Sequence, residues 1–368
     1  MRTAKKFPEI EILRFLAISS VVIYHFTARR APDLPYGKWV VSAPWSLGWL
    51  GVELFFIVSG FVIAFSIENT KSSRVFLLHR SFRLYPALVL LLPIVYSAQR
   101  FIPYSPFVDR STLQNLFGSI TLIPPTVLNY FSNSNFDWLT LVLWSLKVEV
   151  FFYLLCAVIA HGFSKKNLVM YVTYMALILT LIYILNILTN SSNVILESLT
   201  RVTVVFGFEN LSWFALGMLL YSGMNGVFTK IHKTMIVLVS IQAMILLFLT
   251  HEKSFVVLWG SLLVIVTAVL VLQAAKLGFD FDFKLPILIG NSSYEMYLLH
   301  QGVGIPILFY TIKTFELGPC SSIGVAACLV LSLGLFSHWV FKTVTEPVNR
   351  GLRSHRWRLL RGNEHPFS

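Results

Sequence analysis

Apolar runs of about 20 residues recur along this chain, each long enough to cross roughly 30 Å of hydrocarbon as a helix. They fall near residues 10–28, 46–68, 84–99, 139–161, 168–188, 202–222, 234–250, 255–276, 287–312 and 321–343. The runs explain why 56% of the residues are hydrophobic and only 12% are charged. With a mean hydropathy of +0.73, this is more apolar surface than a water-soluble core absorbs. The expected fold is an all-α polytopic integral membrane protein of about ten transmembrane helices.

A net charge of +12 would suggest nucleic acid for a soluble chain, but in a membrane protein the position of each cation matters more. If the N-terminus lies inside, most of the 29 Lys and Arg residues fall on inner segments: the N-terminal tail, residues 69–83, the loops around Lys165, Lys230 and Lys284, and everything from Lys342 onward. That distribution obeys the positive-inside rule, places both termini in the cytoplasm and leaves no call for a nucleic-acid partner. Arg14 interrupts the first run, and no small-residue cleavage site follows before Arg29, so this run is expected to remain as a span. Residues 112–124 are moderately apolar but short, and end at Pro124 and Pro125; a re-entrant or interfacial segment is expected.

Cys156 and Cys328 lie inside apolar runs and Cys320 in a loop, which gives neither a disulfide framework nor a metal-ligand spacing, and no metal is expected. The chain divides into a membrane domain, residues 1–345, and a basic cytoplasmic tail, residues 346–368, whose arginines suit anionic lipid headgroups.

Ionisable groups held inside a bilayer cost at least ~2.5 kcal/mol each at mid-depth, so those that persist point to function. Arg14 and His25 share the first span; eleven residues at about 100° return them to one helix face, roughly 16 Å apart along the axis. A cation at the entrance could hold an anionic donor while the deeper imidazole acts as general base, although Arg14 could equally snorkel to headgroups. Glu53 and Ser59 sit in GVELFFIVSGF, where Glu53 either reaches water or faces the same cavity as His25. Arg80 and Arg83, at i and i+3, share a face and suit bidentate phosphate contact, but they also satisfy the charge rule on their own. Ser145, Glu149 and Tyr153 align at four-residue intervals, and an unpartnered carboxylate at Glu149 would be costly, so it should face a polar group or a wet cavity. Tyr297 and His300 lie on a polar, aromatic rim opening the ninth run, with Glu295 expected to face the cytoplasm.

The stretches LRFLAISSVVIYHF, GVELFFIVSGF, FLLHRSFRLYP, WSLKVEVFFYLL and SYEMYLLH, in this order across residues 13–300, resemble the membrane-bound acyltransferase-3 family. The resemblance implies a helical membrane enzyme that takes an acyl group, usually acetyl, from cytoplasmic acyl-CoA to a hydroxyl of a carbohydrate or related acceptor. Acetyl-CoA would be a co-substrate rather than a bound cofactor. His25 matches the family's catalytic histidine and Arg14 the arginine preceding it. Arg80 and Arg83 match the arginines linked to donor binding, and Glu149 the glutamate of the Ser-Leu-x-x-Glu-x-x-Phe-Tyr motif, where it would orient or charge-balance the imidazole. Glu53, Ser59, Ser145, Tyr153, Tyr297 and His300 remain candidates for the substrate cavity. Lys147 and Val150 depart from the commoner Ser-Val-Glu-Glu-Gln pattern, leaving one acid where many members have two.

The expected setting is the bacterial inner membrane, with acyl-CoA, a carbohydrate or lipid-linked glycan acceptor and membrane lipids as partners. A flippase for a lipid-linked saccharide, or acylation of a small molecule such as a macrolide, are the alternatives.

Overall fold

The computed structural model describes residues 7–351, apart from 133, 164, 190–192, 227–228 and 252. Among the described residues every regular element is helical. In chain order the α-helices are α1 (Pro8–Phe26), α2 (Gly51–Glu68), α3 (Ser73–Phe101), α4 (Leu113–Thr121), α5 (Pro125–Ser132), α6 (Leu143–Gly162), α7 (Leu168–Thr189) and α8 (Val194–Phe206). They continue with α9 (Leu211–Met224), α10 (Lys230–Thr250), α11 (Phe255–Lys276), α12 (Lys284–Asn291), α13 (Ser293–Leu299), α14 (Ile305–Thr314) and α15 (Pro319–Val340).

Among the described residues, eight helical stretches are individually long and apolar enough to cross a membrane, and a ninth results if α8 and α9 count as one bent span. Ten spans were expected, and fewer helices qualify because two of the ten apolar runs are broken. The run at 202–222 breaks at Gly207, whose φ of +76° ends α8, and α8 and α9 diverge by 81°. A Cβ at Gly207 would lie 2.2 Å from Val148 Cγ2, so the break is seated against α6. The run at 287–312 breaks twice, at Ser292 between α12 and α13 and at a π-helical turn, His300–Gly304, between α13 and α14.

Residues 112–124 form no helix long enough to cross a membrane. α4 has nine residues, roughly 14 Å at 1.5 Å per residue, and the left-handed Leu122 (φ +57°) turns the chain before Pro124. The Thr112 side chain caps α4 by accepting from Asn115 N at 3.1 Å. The return strand of chain is tied back when Asn115 Oδ1 accepts from Asp137 N at 2.8 Å and Ser119 Oγ accepts from Leu139 N at 2.9 Å. This fold-back delivers Thr140 to the π-turn, where its hydroxyl donates to Gln301 Oε1 at 3.0 Å.

The centre of the bundle is α2 against α9. The apolar stretch ending in α2 is 78% buried within the protein, against 22% for α10 and for α15. Small residues let the two backbones meet, which is how apolar helices associate when lipid removes the hydrophobic incentive. A Cβ at Gly60 would fall 2.0 Å from Phe214 O, and one at Gly217 would fall 1.9 Å from Ile57 O. Peripheral helices instead present apolar rows outward, such as Leu331 and Leu335 on α15 and Leu263, Val266 and Leu270 on α11, as a lipid-facing surface requires. The terminal basic clusters at residues 1–6 and beyond 351 lie outside the described residues.

Candidate active site

The Ser145, Glu149 and Tyr153 face of α6 turns inward as its spacing predicts. Glu149 Oε1 accepts a hydrogen bond from Ser59 Oγ on α2 at 2.7 Å and a second from the Tyr153 hydroxyl one turn along α6. One turn in the other direction, Ser145 Oγ shares a 2.7 Å hydrogen bond with Tyr297 OH on α13. Ser59, Ser145, Glu149 and Tyr297 line an open cavity that also receives Arg14 from α1 and Arg83 from α3, whereas Tyr153, expected in the cavity, stands outside its lining. Its apolar wall includes Val52, Phe55 and Phe56, which with Ser59 recur at i, i+3, i+4 and i+7 on α2. That periodicity was present in the sequence and marks these wall residues, which the motif reading had passed over. Tyr294 completes the wall and donates to Leu84 O at 3.0 Å, pinning α13 to α3.

The two arginines expected to act together have different surroundings. Arg83 lines the cavity and has no hydrogen-bond or ion-pair partner among the described residues. Arg80 is buried, with its guanidinium 5.6 Å from the Phe76 ring centroid and 5.7 Å from that of Tyr153, and it reaches Val62 O at 3.4 Å. It packs behind Tyr153 rather than in the cavity wall. Arg14 is held by Glu11 one turn below, Nη1 to Oε1 at 2.6 Å. Glu53 is only 3% exposed, lies off the cavity-lining face of α2, and its Oε2 has no hydrogen-bond partner among the described residues. Glu295, expected to face the cytoplasm, is instead buried and accepts from Thr345 Oγ1 at 2.6 Å, joining α13 to the chain that follows α15.

His25 lies away from the carboxylate. Its Nδ1 is 3.0 Å from Val21 O and 3.2 Å from His300 Nε2, with the two imidazole centroids 5.0 Å apart. His300 is fully buried, begins the π-turn, and does not line the cavity. Its ring centroid stands 5.5 Å from that of Tyr297, which does line it. Tyr297, His300 and His25 thus form a ladder of rings leading from the cavity to the other end of α1. Among the described residues Glu149 is not a hydrogen-bond partner of His25; a turn of hydroxyls and a second histidine lie between them.

Chemically, the cavity joins two guanidinium groups, a doubly hydrogen-bonded carboxylate and an apolar wall, which suits a long ligand with an anionic end. Beyond its Tyr297 wall sits a nitrogen base. Among the described residues no group of three or more His, Cys, Asp or Glu side chains could hold a metal ion.

The chain is 28% identical over 352 residues to the peptidoglycan O-acetyltransferase OatA of Listeria monocytogenes, an alignment that covers 86% of this chain and 52% of the relative. It therefore spans about half the length of that relative. No solved structure shows a significant match. The model of the acyltransferase-3 family, described as an acyltransferase domain, matches residues 7–342. That span takes in α1 through α15 and with them the cavity and both histidines, so the chain belongs to the acyltransferase-3 family.

Proposed function

We propose that the protein is an integral membrane O-acyltransferase that moves an acyl group, most simply acetyl, from cytoplasmic acyl-CoA to a hydroxyl of a cell-wall or exported glycan. The observation that carries this reading is the ladder of rings from the Arg14, Arg83 and Glu149 cavity through Tyr297 and His300 to His25. A donor seated in the cavity places phosphates near the guanidinium groups and its thioester arm toward the imidazole. Both termini lie in the cytoplasm in this reading, the membrane is the bacterial cytoplasmic membrane, and α1 carries Arg14 on the donor side and His25 on the acceptor side. The similarity to a peptidoglycan O-acetyltransferase favours a cell-wall polysaccharide as acceptor.

In the transfer step the acceptor oxygen attacks the thioester carbonyl carbon and the carbon–sulfur bond breaks. His25 takes the hydroxyl proton and returns it to the departing CoA sulfur. Glu149 fixes Ser59 and Tyr153 and offsets the positive charge of the cavity, and does not orient the imidazole.

The test is label transfer from radiolabelled acetyl-CoA to peptidoglycan fragments by the purified full-length protein. His25→Ala should lower transfer about a hundredfold or more, the range general-base removal gives. Transfer at the wild-type rate by that variant would remove His25 from the chemistry. Movement of unmodified saccharide without CoA would instead point to transport.

A further inference from the structure

The relative placement of the two histidines fixes where their protons sit. His300 Nδ1 lies 2.8 Å from Tyr297 O and 3.3 Å from Met296 O. A carbonyl oxygen only accepts, so Nδ1 carries the hydrogen and Nε2 of a neutral His300 presents a lone pair. That lone pair is 3.2 Å from His25 Nδ1, which also faces a carbonyl, Val21 O, at 3.0 Å. Both neighbours of His25 Nδ1 are then acceptors, and the only arrangement that satisfies all four contacts has hydrogen on both Nδ1 atoms. The reverse arrangement, with His300 Nε2 protonated, would leave the His25 Nδ1 lone pair against the Val21 carbonyl. His25 Nε2 has no hydrogen-bond partner among the described residues.

Resting on the proposed acyl transfer, we infer that His300 is the positioning residue for His25: its Nε2 lone pair holds His25 in the Nδ1–H form and aims the bare Nε2 at the acceptor hydroxyl. His300 does the work that a carboxylate does in a Ser-His-Asp arrangement. When His25 Nε2 takes the hydroxyl proton, the Nδ1 hydrogen is already shared between His300 Nε2 and Val21 O. The imidazolium charge spreads into two acceptors, and the Nε2 proton then passes to the CoA sulfur as the carbon–sulfur bond breaks. His300 opens the π-turn, a local distortion common at functional sites, while its own backbone N–H keeps the regular i−4 bond to Met296 O. Thr140, donating to Gln301 Oε1, braces the same turn from the fold-back after α5.

Three variants separate a lone-pair role from packing. His300→Leu and His300→Met fill space without an acceptor, whereas His300→Gln keeps an amide oxygen for His25 and an amide hydrogen for the carbonyls. At saturating donor, His300→Leu and His300→Met should lower kcat about tenfold or more with little change in the KM for acetyl-CoA. The acid limb of the pH–rate profile should move with them. His300→Gln should recover most of the rate and the wild-type limb. Equal rates in the Leu and Gln variants, whether both normal or both lost, would overturn the inference.

A second measurement needs no turnover: nitrogen-15 NMR of the histidine-labelled full-length protein in bilayers, with His25 assigned by the signals lost in His25→Ala. The expected spectrum shows His25 protonated at Nδ1 and bare at Nε2. Hydrogen on Nε2 would overturn the inference regardless of activity. A wild-type protein that transfers no acyl group but shows this spectrum would count against the proposed function alone.

Discussion

At the scale of single residues, Glu149 and the arginines show how function divides among neighbouring charges. Glu149 keeps its place in the apolar interior because two hydroxyl donors converge on one of its oxygens. Hydrogen bonds to an ionised group contribute about 1.5–3 kcal/mol each. Ser59→Ala and Tyr153→Phe should therefore each lower thermal stability measurably in detergent, and the double variant should show non-additive loss because both act on the same atom. Arg80 and Arg83 provide a sharper contrast. Arg83→Ala should raise the KM for acetyl-CoA about tenfold, roughly 1.4 kcal/mol of lost binding, because its guanidinium faces the cavity. Arg80→Ala should act mainly on thermal stability, since that guanidinium packs on Phe76 and Tyr153. The four-residue spacing of Ser145, Glu149 and Tyr153 was legible in the sequence because one helix sets it. The pairing of Ser59 with Glu149, 90 residues away, and of His25 with His300, 275 residues away, was not legible, because only helix packing decides which faces meet. The i and i+3 spacing of Arg80 and Arg83 likewise said nothing about Tyr153 standing behind one of them.

At the scale of elements, the α2 and α9 contact sets the frame on which the cavity wall hangs. Gly60 and Gly217 sit against opposing carbonyl oxygens with no room for a methyl group. Gly60→Ala or Gly217→Ala should force the helices apart, with about 1–3 kcal/mol of overpacking. A lower melting temperature and weaker acyl transfer should appear together, because Ser59 is the residue adjacent to Gly60. The apolar runs located eight helices correctly, since an uninterrupted run must satisfy its backbone within the lipid. They overlooked the breaks at Ser292 and at His300–Gly304, because a π-turn changes the hydrogen-bond register without changing hydropathy. Gly207 was visible as a glycine, but the 81° bend there depends on Val148 of another helix.

At the scale of the whole molecule, the orientation proposed from the distribution of Lys and Arg has the reaction run across the membrane as well as within it. Single-cysteine labelling tests that orientation in a background where Cys156, Cys320 and Cys328 are all replaced by alanine. A membrane-impermeant thiol reagent should reach Asp109→Cys in intact cells, and Lys71→Cys only after permeabilisation. The opposite pattern would reverse the donor and acceptor sides. The most direct measurement seals labelled acetyl-CoA inside liposomes that carry the protein, selects the orientation with its cytoplasmic side inward, and supplies peptidoglycan fragments outside. Label should appear on the external glycan with the wild-type protein and fall about a hundredfold with His25→Ala. Undiminished transfer by His25→Ala, or transfer only when donor and acceptor share a compartment, would contradict an acyl transfer carried through the bundle to His25.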